Sequence, residues 1–291
     1  MTRPEVAAIF GPTASGKTAV AEMAADRLGT EVVSADAMQV YRGLPILTNQ
    51  PTRPTHLVGI RSLGEEMTVG AFAALAHREI DDLVAERGVV VVAGGTGLYL
   101  RAALAELDVP PAVAPEIRAR IAHEVDRNRE AAHRRLAAHD PAAAEAVHPH
   151  DRKRLVRALE LTAVGTSLVV GRDRLWRGPT RRPTLVVGLE VPAQMLERRI
   201  RRRTEEMFAR GVVDEVRGAL EHPVSRTAAK TLGLDEIALL GPAALEPIVR
   251  RTRRYAAYQR KWMRRIPGIV LLDGERPPEA IAADIVALVR G

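Results

Sequence analysis

The chain contains no cysteine among its 291 residues. That absence excludes disulfide bonds, cysteine-ligated zinc, iron–sulfur clusters and a thiolate nucleophile. Aromatic residues are scarce, at three Phe, two Trp and four Tyr, so any cluster of them carries information. Lysine is nearly missing: Lys17, Lys153, Lys230 and Lys261 are the only lysines among 43 Lys and Arg together. Long apolar runs are lacking too. The longest uncharged stretch, Gly88 to Leu100, has 13 residues, short of the ~18–20 that a membrane-spanning helix needs. No signal-peptide pattern opens the chain, so a cytoplasmic protein without a membrane partner is expected. The 8 His are dispersed without metal-ligand spacing beyond His148-Pro149-His150, which speaks against a zinc site.

What is present is ordinary globular material. Hydrophobic residues at 46% and charged residues at 27% rule out a disordered or collagen-like chain. The length suits one large domain or two modest ones. The net charge of +7 is unevenly spread: residues 1–110 carry 9 basic and 13 acidic side chains, and residues 111–291 carry 34 and 23. A basic C-terminal part fits a polyanionic partner, and arginine suits bidentate phosphate contact. A coding bias toward Ala and Arg is the plain alternative.

Patterning divides the chain. Apolar runs at Glu5–Phe10, Glu31–Ser34 and Val89–Ala93 alternate with helical spacing over Thr18–Leu28 and Val69–Arg87, with glycine closing both helices. This alternation predicts a parallel sheet flanked by helices. Pro110, Pro111 and Pro115 then punctuate the sequence, and residues 116–165 read as helices only, broken near Asp140-Pro141 and His148-Pro149. Strand character returns at Thr184–Val191 and Ile269–Leu272, with a basic helix through Met207 and a last helix from Pro278. The expected fold class is α/β: a P-loop-containing parallel sheet flanked by helices, built from residues 1–110 and 183–291, with a helical insertion domain over 111–182.

Gly11-Pro12-Thr13-Ala14-Ser15-Gly16-Lys17-Thr18 matches the P-loop pattern G-x-x-x-x-G-K-[ST]. Its glycines let backbone N–H groups turn toward phosphate oxygens, Lys17 adds a point charge, and Thr18 can hold Mg²⁺. The motif follows a strand and opens a helix, as that chemistry requires. Nucleotide-hydrolysing enzymes of this type place an Asp at the end of a core strand to hold the metal. Here the strand Val89–Ala93 runs into Gly94-Gly95-Thr96-Gly97 with no acid. The first acid after another early strand is Asp36. On the motif alone it is either the metal-side acid of a phosphotransferase or a base with another task.

Four further blocks make the chain recognisable. Ser34–Leu44 (S-A-D-A-M-Q-V-Y-R-G-L), Gly94–Tyr99 (G-G-T-G-L-Y), His148–Glu160 (H-P-H-D-R-K-R-L-V-R-A-L-E) and Met207–Val216 (M-F-A-R-G-V-V-D-E-V), together with the P-loop, resemble the tRNA dimethylallyltransferase family in order and spacing. The resemblance implies transfer of a dimethylallyl group from dimethylallyl diphosphate to N6 of the adenosine 3′ of the tRNA anticodon. The P-loop residues Gly11–Thr18, with Mg²⁺ on Thr18 and with Lys230, would then hold a diphosphate leaving group. By the same resemblance Asp36 would be the general base, with Thr96 and Lys17 completing the catalytic set. Asp36, Ala37, Met38, Gln39 and Thr96 would meet the flipped base, and Arg118, Lys153, Arg154, Leu155, Val156 and Arg157 would hold the anticodon stem-loop. A monomer is expected.

The sequence departs from the family in places. Ala37 stands where Ser is usual, Gly43–Pro51 reads G-L-P-I-L-T-N-Q-P where the family has a lysine, and Ala256–Gln259 reads A-A-Y-Q for the usual A-K-R-Q. The Ile46–Gln50 stretch is closer to adenylate isopentenyltransferases, which prenylate free adenine nucleotides. A phosphotransferase and a non-catalytic RNA-binding module are further alternatives. Arg250–Arg265 interleaves Tyr255, Tyr258 and Trp262 with seven Arg and one Lys. It reads either as a stacking surface for RNA bases or, more commonly for such spacing, as a core-facing stripe with basic flanks.

Overall fold

Every residue of the first strand, β1 (Val6–Phe10), is buried, and burial on both faces marks the centre of a sheet. The computed structural model describes residues 3–106, 113–168 and 178–291. These form two compact units, one of Met1–Leu107 with Pro179–Gly291 and one of Asp108–Gly178. In the first unit the elements run β1, α1 (Lys17–Leu28), β2 (Val32–Ser34), α2 (Val69–Arg87), β3 (Val90–Gly94) and α3 (Gly97–Leu104). In the second come α4 (Pro115–Arg127), α5 (Arg129–His139), α6 (Pro141–Ala146) and α7 (Arg152–Ala163). The first unit resumes with β4 (Thr184–Glu190), α8 (Ala193–Ala209), α9 (Val212–Ala219), α10 (Leu234–Leu240), α11 (Leu245–Met263), β5 (Val270–Asp273) and α12 (Pro278–Arg290).

The five strands are all parallel, in the order β2-β3-β1-β4-β5. The expected α/β sheet flanked by helices is what the chain forms. Side chains alternate along β1, so Ala7 and Ile9 pack with Val91, Val187, Leu189, α1 and α12 on one face, as the two-residue period of a strand demands. Val6, Ala8 and Phe10, equally buried, point to the other face. There α2 and α3 are joined by Phe72 and Tyr99, whose ring centroids lie 4.8 Å apart. Among the described residues no helix is long and apolar enough to cross a membrane.

The second unit is helical throughout its described part. Each break in the sequence is a cap: Asn128, Asp140 and Asp151 accept the amides of Ala131, Ala143 and Arg154 at 3.0, 3.0 and 3.1 Å. The unit's core is Ile121, Val125, Leu136, Val147, Leu155 and Leu159 with small alanines between them. The expected boundary between Pro110 and Pro111 lies outside the described residues. On the return side, Arg182 bonds Asp81 and Glu5, and Arg181 bonds Asp81 and Glu106. These ties place residues 179–182 with the sheet rather than with the insertion.

Candidate active site

Parallel strands bring their carboxyl ends to one edge, and open α/β sheets present ligand sites there. β1 ends at Phe10 opposite Gly94 of β3, and Ala93 of β3 lies opposite Ser34 of β2. The segments after these strands are Gly11–Thr18, Ala35–Gln39 and Gly95–Gly97. Three stretches far apart in sequence are thereby neighbours. The approach is too tight for side chains at two points. A Cβ on Gly94 would meet the Ala35 carbonyl oxygen at 2.5 Å, and one on Gly95 would meet Gln259 Nε2 at 2.5 Å and the Gly11 carbonyl oxygen at 3.0 Å.

Within the P-loop, Ala14 (φ 64°) and Gly16 (φ 89°) are left-handed, a curl that turns successive amides inward as an anion-binding nest. The Ser15 amide donates to the Pro12 carbonyl at 3.1 Å, and the Thr13 amide donates to Gln259 Oε1 at 2.8 Å. Among the described residues the amides of Ala14, Gly16, Lys17 and Thr18 make no backbone hydrogen bond, which leaves them for phosphate-directed donation, the last three at the start of α1. The Ser15 hydroxyl is buried with no partner among the described residues. Gln259 closes the loop from outside, because its Nε2 also donates to the Gly95 carbonyl at 2.8 Å. Arg199 adds a weak contact from Nη1 to the Ser15 carbonyl at 3.4 Å.

Lys17 and Asp36 share one electrostatic environment. Burial pushes the Lys17 ammonium down to about 8, opposed by the Asp36 carboxylate and reinforced by the Arg203 guanidinium. Arg203 is lowered by burial and pulled back up by Asp36, and its buried Nε has no hydrogen-bond partner among the described residues. The Tyr255 phenol is raised to about 12 by burial and by Asp36, and its hydroxyl lies 3.0 Å from Thr96 Oγ1. Asp36 Oδ1 accepts the Met38 amide at 2.9 Å, a turn that fixes the carboxyl group. Among the described residues no hydrogen bond is made to Oδ2. Two half-buried cations with no ion pair among the described residues, a fixed carboxylate beside them and a hydroxyl pair suit transfer chemistry on a polyanionic substrate.

The rest of the expected base-reading run is committed to the protein itself. Ala37 is buried. Met38 Sδ accepts from the Thr231 hydroxyl at 3.2 Å. Gln39 Oε1 lies 3.0 Å from the Ser34 hydroxyl, and its Nε2 donates to the carbonyls of Asn49 and Thr48 at 3.0 and 3.3 Å. These bonds, with Gln50 Nε2 to the Tyr41 carbonyl at 2.7 Å, shape the Gly43–Pro51 departure from the family pattern. Glu215 anchors the same segment by accepting the Ile46 and Leu47 amides at 2.7 and 2.8 Å. Lys230 ends the short turn Ala228–Lys230 and is exposed, adjoining the Thr231 that touches Met38.

In the helical unit, Lys153 and Arg154 are exposed on the first turn of α7. Arg118 Nε and Arg157 Nη1 both bond the buried Glu160 carboxylate, at 2.8 and 3.0 Å. Arg154 and Arg157, three residues apart, are therefore not equivalent. Leu155 and Val156, within the run expected to hold the stem-loop, pack their side chains in the unit's core. An amphipathic helix turns every third or fourth residue inward, and these are two of them.

Arg203 and Gln259 were not singled out from sequence, although a signal exists for each. The inward stripe of α8 is Leu196, Ile200, Thr204 and Met207, and Arg203 lies three after Ile200 and four before Met207. The stripe of α11 is Ile248, Thr252, Ala256 and Met263 with Gln259 in line. A charged or amide side chain at an apolar helical position must find a partner, and both point into this site.

Comparison with known proteins gives a consistent result. A family model described as IPP transferase matches residues 39–266, and one described as isopentenyl transferase matches residues 4–63. The chain is 42% identical to a tRNA dimethylallyltransferase of Anaeromyxobacter dehalogenans, covering 94% of this chain and 96% of that one. It is 38% identical to the enzyme of the same name from Streptomyces coelicolor, over 93% and 91%. A solved tRNA isopentenylpyrophosphate transferase from Bacillus halodurans is similar in fold, with a TM-score of 0.70 and 29% identity over 99% and 97% of the two chains.

Proposed function

Since the chain belongs to the tRNA dimethylallyltransferase family, we propose that it moves a dimethylallyl group from dimethylallyl diphosphate to N6 of the adenosine 3′ of a tRNA anticodon. The observation that carries the mechanism is the meeting of a P-loop lysine with a turn-fixed Asp36, at a sheet edge whose β3 strand ends in glycines instead of an acid. A metal-side acid for hydrolysing a γ-phosphate is absent from that strand end. A carboxylate beside the leaving-group site is the arrangement that deprotonation of an amine requires.

Asp36 Oδ2 accepts the N6 proton as the N6–C1 bond forms and the C1–oxygen bond breaks, with the bonding pair leaving on the diphosphate. Lys17, Arg203 and the Gly16–Thr18 amides stabilise the charge that develops on that leaving group. Thr96, held by the Tyr255 hydroxyl, lines the route between the two substrates. Tyr255 stays protonated at neutral pH and so can donate toward an anion.

Among the described residues no group of three His, Asp or Glu could hold a metal ion. Thr18 would hold Mg²⁺ through its hydroxyl, one hard-oxygen donor beside the substrate's own oxygens. Bound there, Mg²⁺ supplies neutralisation of the diphosphate charge. The helical unit would take the stem-loop through Lys153, Arg154, Arg118 and Arg157. We further propose a cytoplasmic monomer.

The test is transfer of labelled dimethylallyl diphosphate, with Mg²⁺, to an anticodon stem-loop and in parallel to AMP. Label on the stem-loop is expected. Label on AMP alone would make the chain an adenylate isopentenyltransferase. Asp36→Asn is expected to abolish transfer while leaving pyrophosphate binding within about twofold, the loss of a proton acceptor being worth ~10²–10⁴ in rate. Wild-type single-turnover rates in this variant would remove Asp36 from the mechanism.

A further inference from the structure

Tyr258 is 55% exposed, on a chain with only nine aromatic residues. Its ring is not loose, for it sits edge-on to Trp262 with centroids 6.1 Å apart and an interplanar angle of 65°. Trp262 is wedged in turn against α3, where a Cβ on Gly97 would come within 2.6 Å of its Cε3. One turn before Tyr258 on α11, Tyr255 bonds Thr96 in the site. The exposed ring therefore stands beside the reaction edge on a rigid support.

The charges around it are selective. Arg251 and Arg253 on α11 are neutralised by Glu236 and Glu197 at 2.6 Å each. Arg254 and Lys261, at −4 and +3 from Tyr258 on α11, are exposed and have no ion pair among the described residues. An exposed aromatic face between unpaired cations is the architecture that binds single-stranded nucleic acid: cations track the backbone and the ring stacks a base. A core-facing stripe would bury Tyr258.

We propose that Tyr258, braced by Trp262 and flanked by Arg254 and Lys261, is a stacking platform for an unpaired base of the anticodon loop beside the target adenosine. This rests on the tRNA reading above. Stacking is tolerant of base identity, so the platform holds a neighbouring base in place while Asp36 addresses the target.

The test uses anticodon stem-loops carrying 2-aminopurine at each unpaired loop position in turn, titrated with the full-length protein. In wild type one position beside the target is quenched on binding. Tyr258→Ala is expected to lose that quench and to raise Kd about 5- to 10-fold, the low end of the range for a base–aromatic stack. Tyr258→Phe keeps both. The slope of log K against log salt stays at its wild-type value in Tyr258→Ala, because no charge is removed. Melting by circular dichroism, near wild type for an exposed site, checks the fold. An unchanged quench and Kd in Tyr258→Ala, with stem-loop prenylation intact in wild type, overturns the platform alone. Failure of wild type to bind or prenylate any stem-loop overturns the tRNA reading and the platform with it.

Discussion

Burial and Arg203 hold the Lys17 ammonium at about 8, against an ordinary 10.5, and this makes diphosphate affinity depend on pH above neutrality. That lowering corresponds to roughly 3 kcal/mol of differential interaction between the two protonation states. A bound diphosphate sets several negative charges beside the ammonium and returns its pKa toward the ordinary value. At pH 7 the lysine is protonated with or without ligand, and affinity is full. At pH 9 about one free molecule in ten holds the proton, so affinity drops about tenfold, and at pH 10 about a hundredfold. Pyrophosphate titrates over the same range. That contribution cancels in the ratio of wild-type affinity to that of Lys17→Met, measured by calorimetry between pH 7 and 10. The ratio is expected to fall by about two orders of magnitude. Folding stability moves the other way. Between pH 8 and 10.5 the unfolded chain binds the proton that the folded chain has released, so wild type gains stability over Lys17→Met as pH rises through that window. An affinity ratio constant from pH 7 to 10 would refute the argument.

Other perturbations give sharp outcomes. Gln259→Leu strands the Thr13 amide and the Gly95 carbonyl that Gln259 bonds. About 2–4 kcal/mol of destabilisation is expected, read as a lower melting temperature with weaker pyrophosphate binding, and a melt within 1 °C of wild type would contradict it. His56 bonds Glu79 at 2.7 Å and Glu31 at 2.9 Å. Burial lowers its pKa, but the two carboxylates outweigh that and raise it. Its stabilisation is therefore complete below the unfolded value of ~6.5 and is lost as pH climbs through the raised folded value. Urea midpoints of wild type and His56→Gln should separate at pH 6 and converge by pH 9.

Much of the frame was legible because it rests on period and punctuation. Val69–Arg87 is helical over the residues its spacing indicates, ended by Gly88 with φ 75°. The strand after it is buried as its β-branched run implies. Asp140-Pro141 reads as a break because Asp caps the helix that Pro starts. The P-loop and Asp36 share a site because parallel strands deliver their ends to one edge. What escaped were single polar residues in apolar helix stripes, Arg203 and Gln259, whose partners lie far away in sequence. Sequence spacing shows that such a residue faces inward and not what it meets there. The Lys153–Arg157 run was legible as basic, but the buried Glu160 that takes up Arg157 and Arg118 separates bonded arginines from exposed ones in a way that charge counting does not.

The contact of Gln259 with the P-loop also bears on how the molecule comes into being. A ribosome delivers Gly11–Thr18 early, yet β1 lacks its neighbour β4 until Glu190 has emerged, and the loop lacks its brace until residue 259 has emerged. At roughly 5–20 residues per second, the phosphate-binding sequence exists for on the order of ten seconds or more before anything holds it in shape. A nascent chain stalled before α11 would therefore display the nucleotide-binding signature without the side chain that braces it.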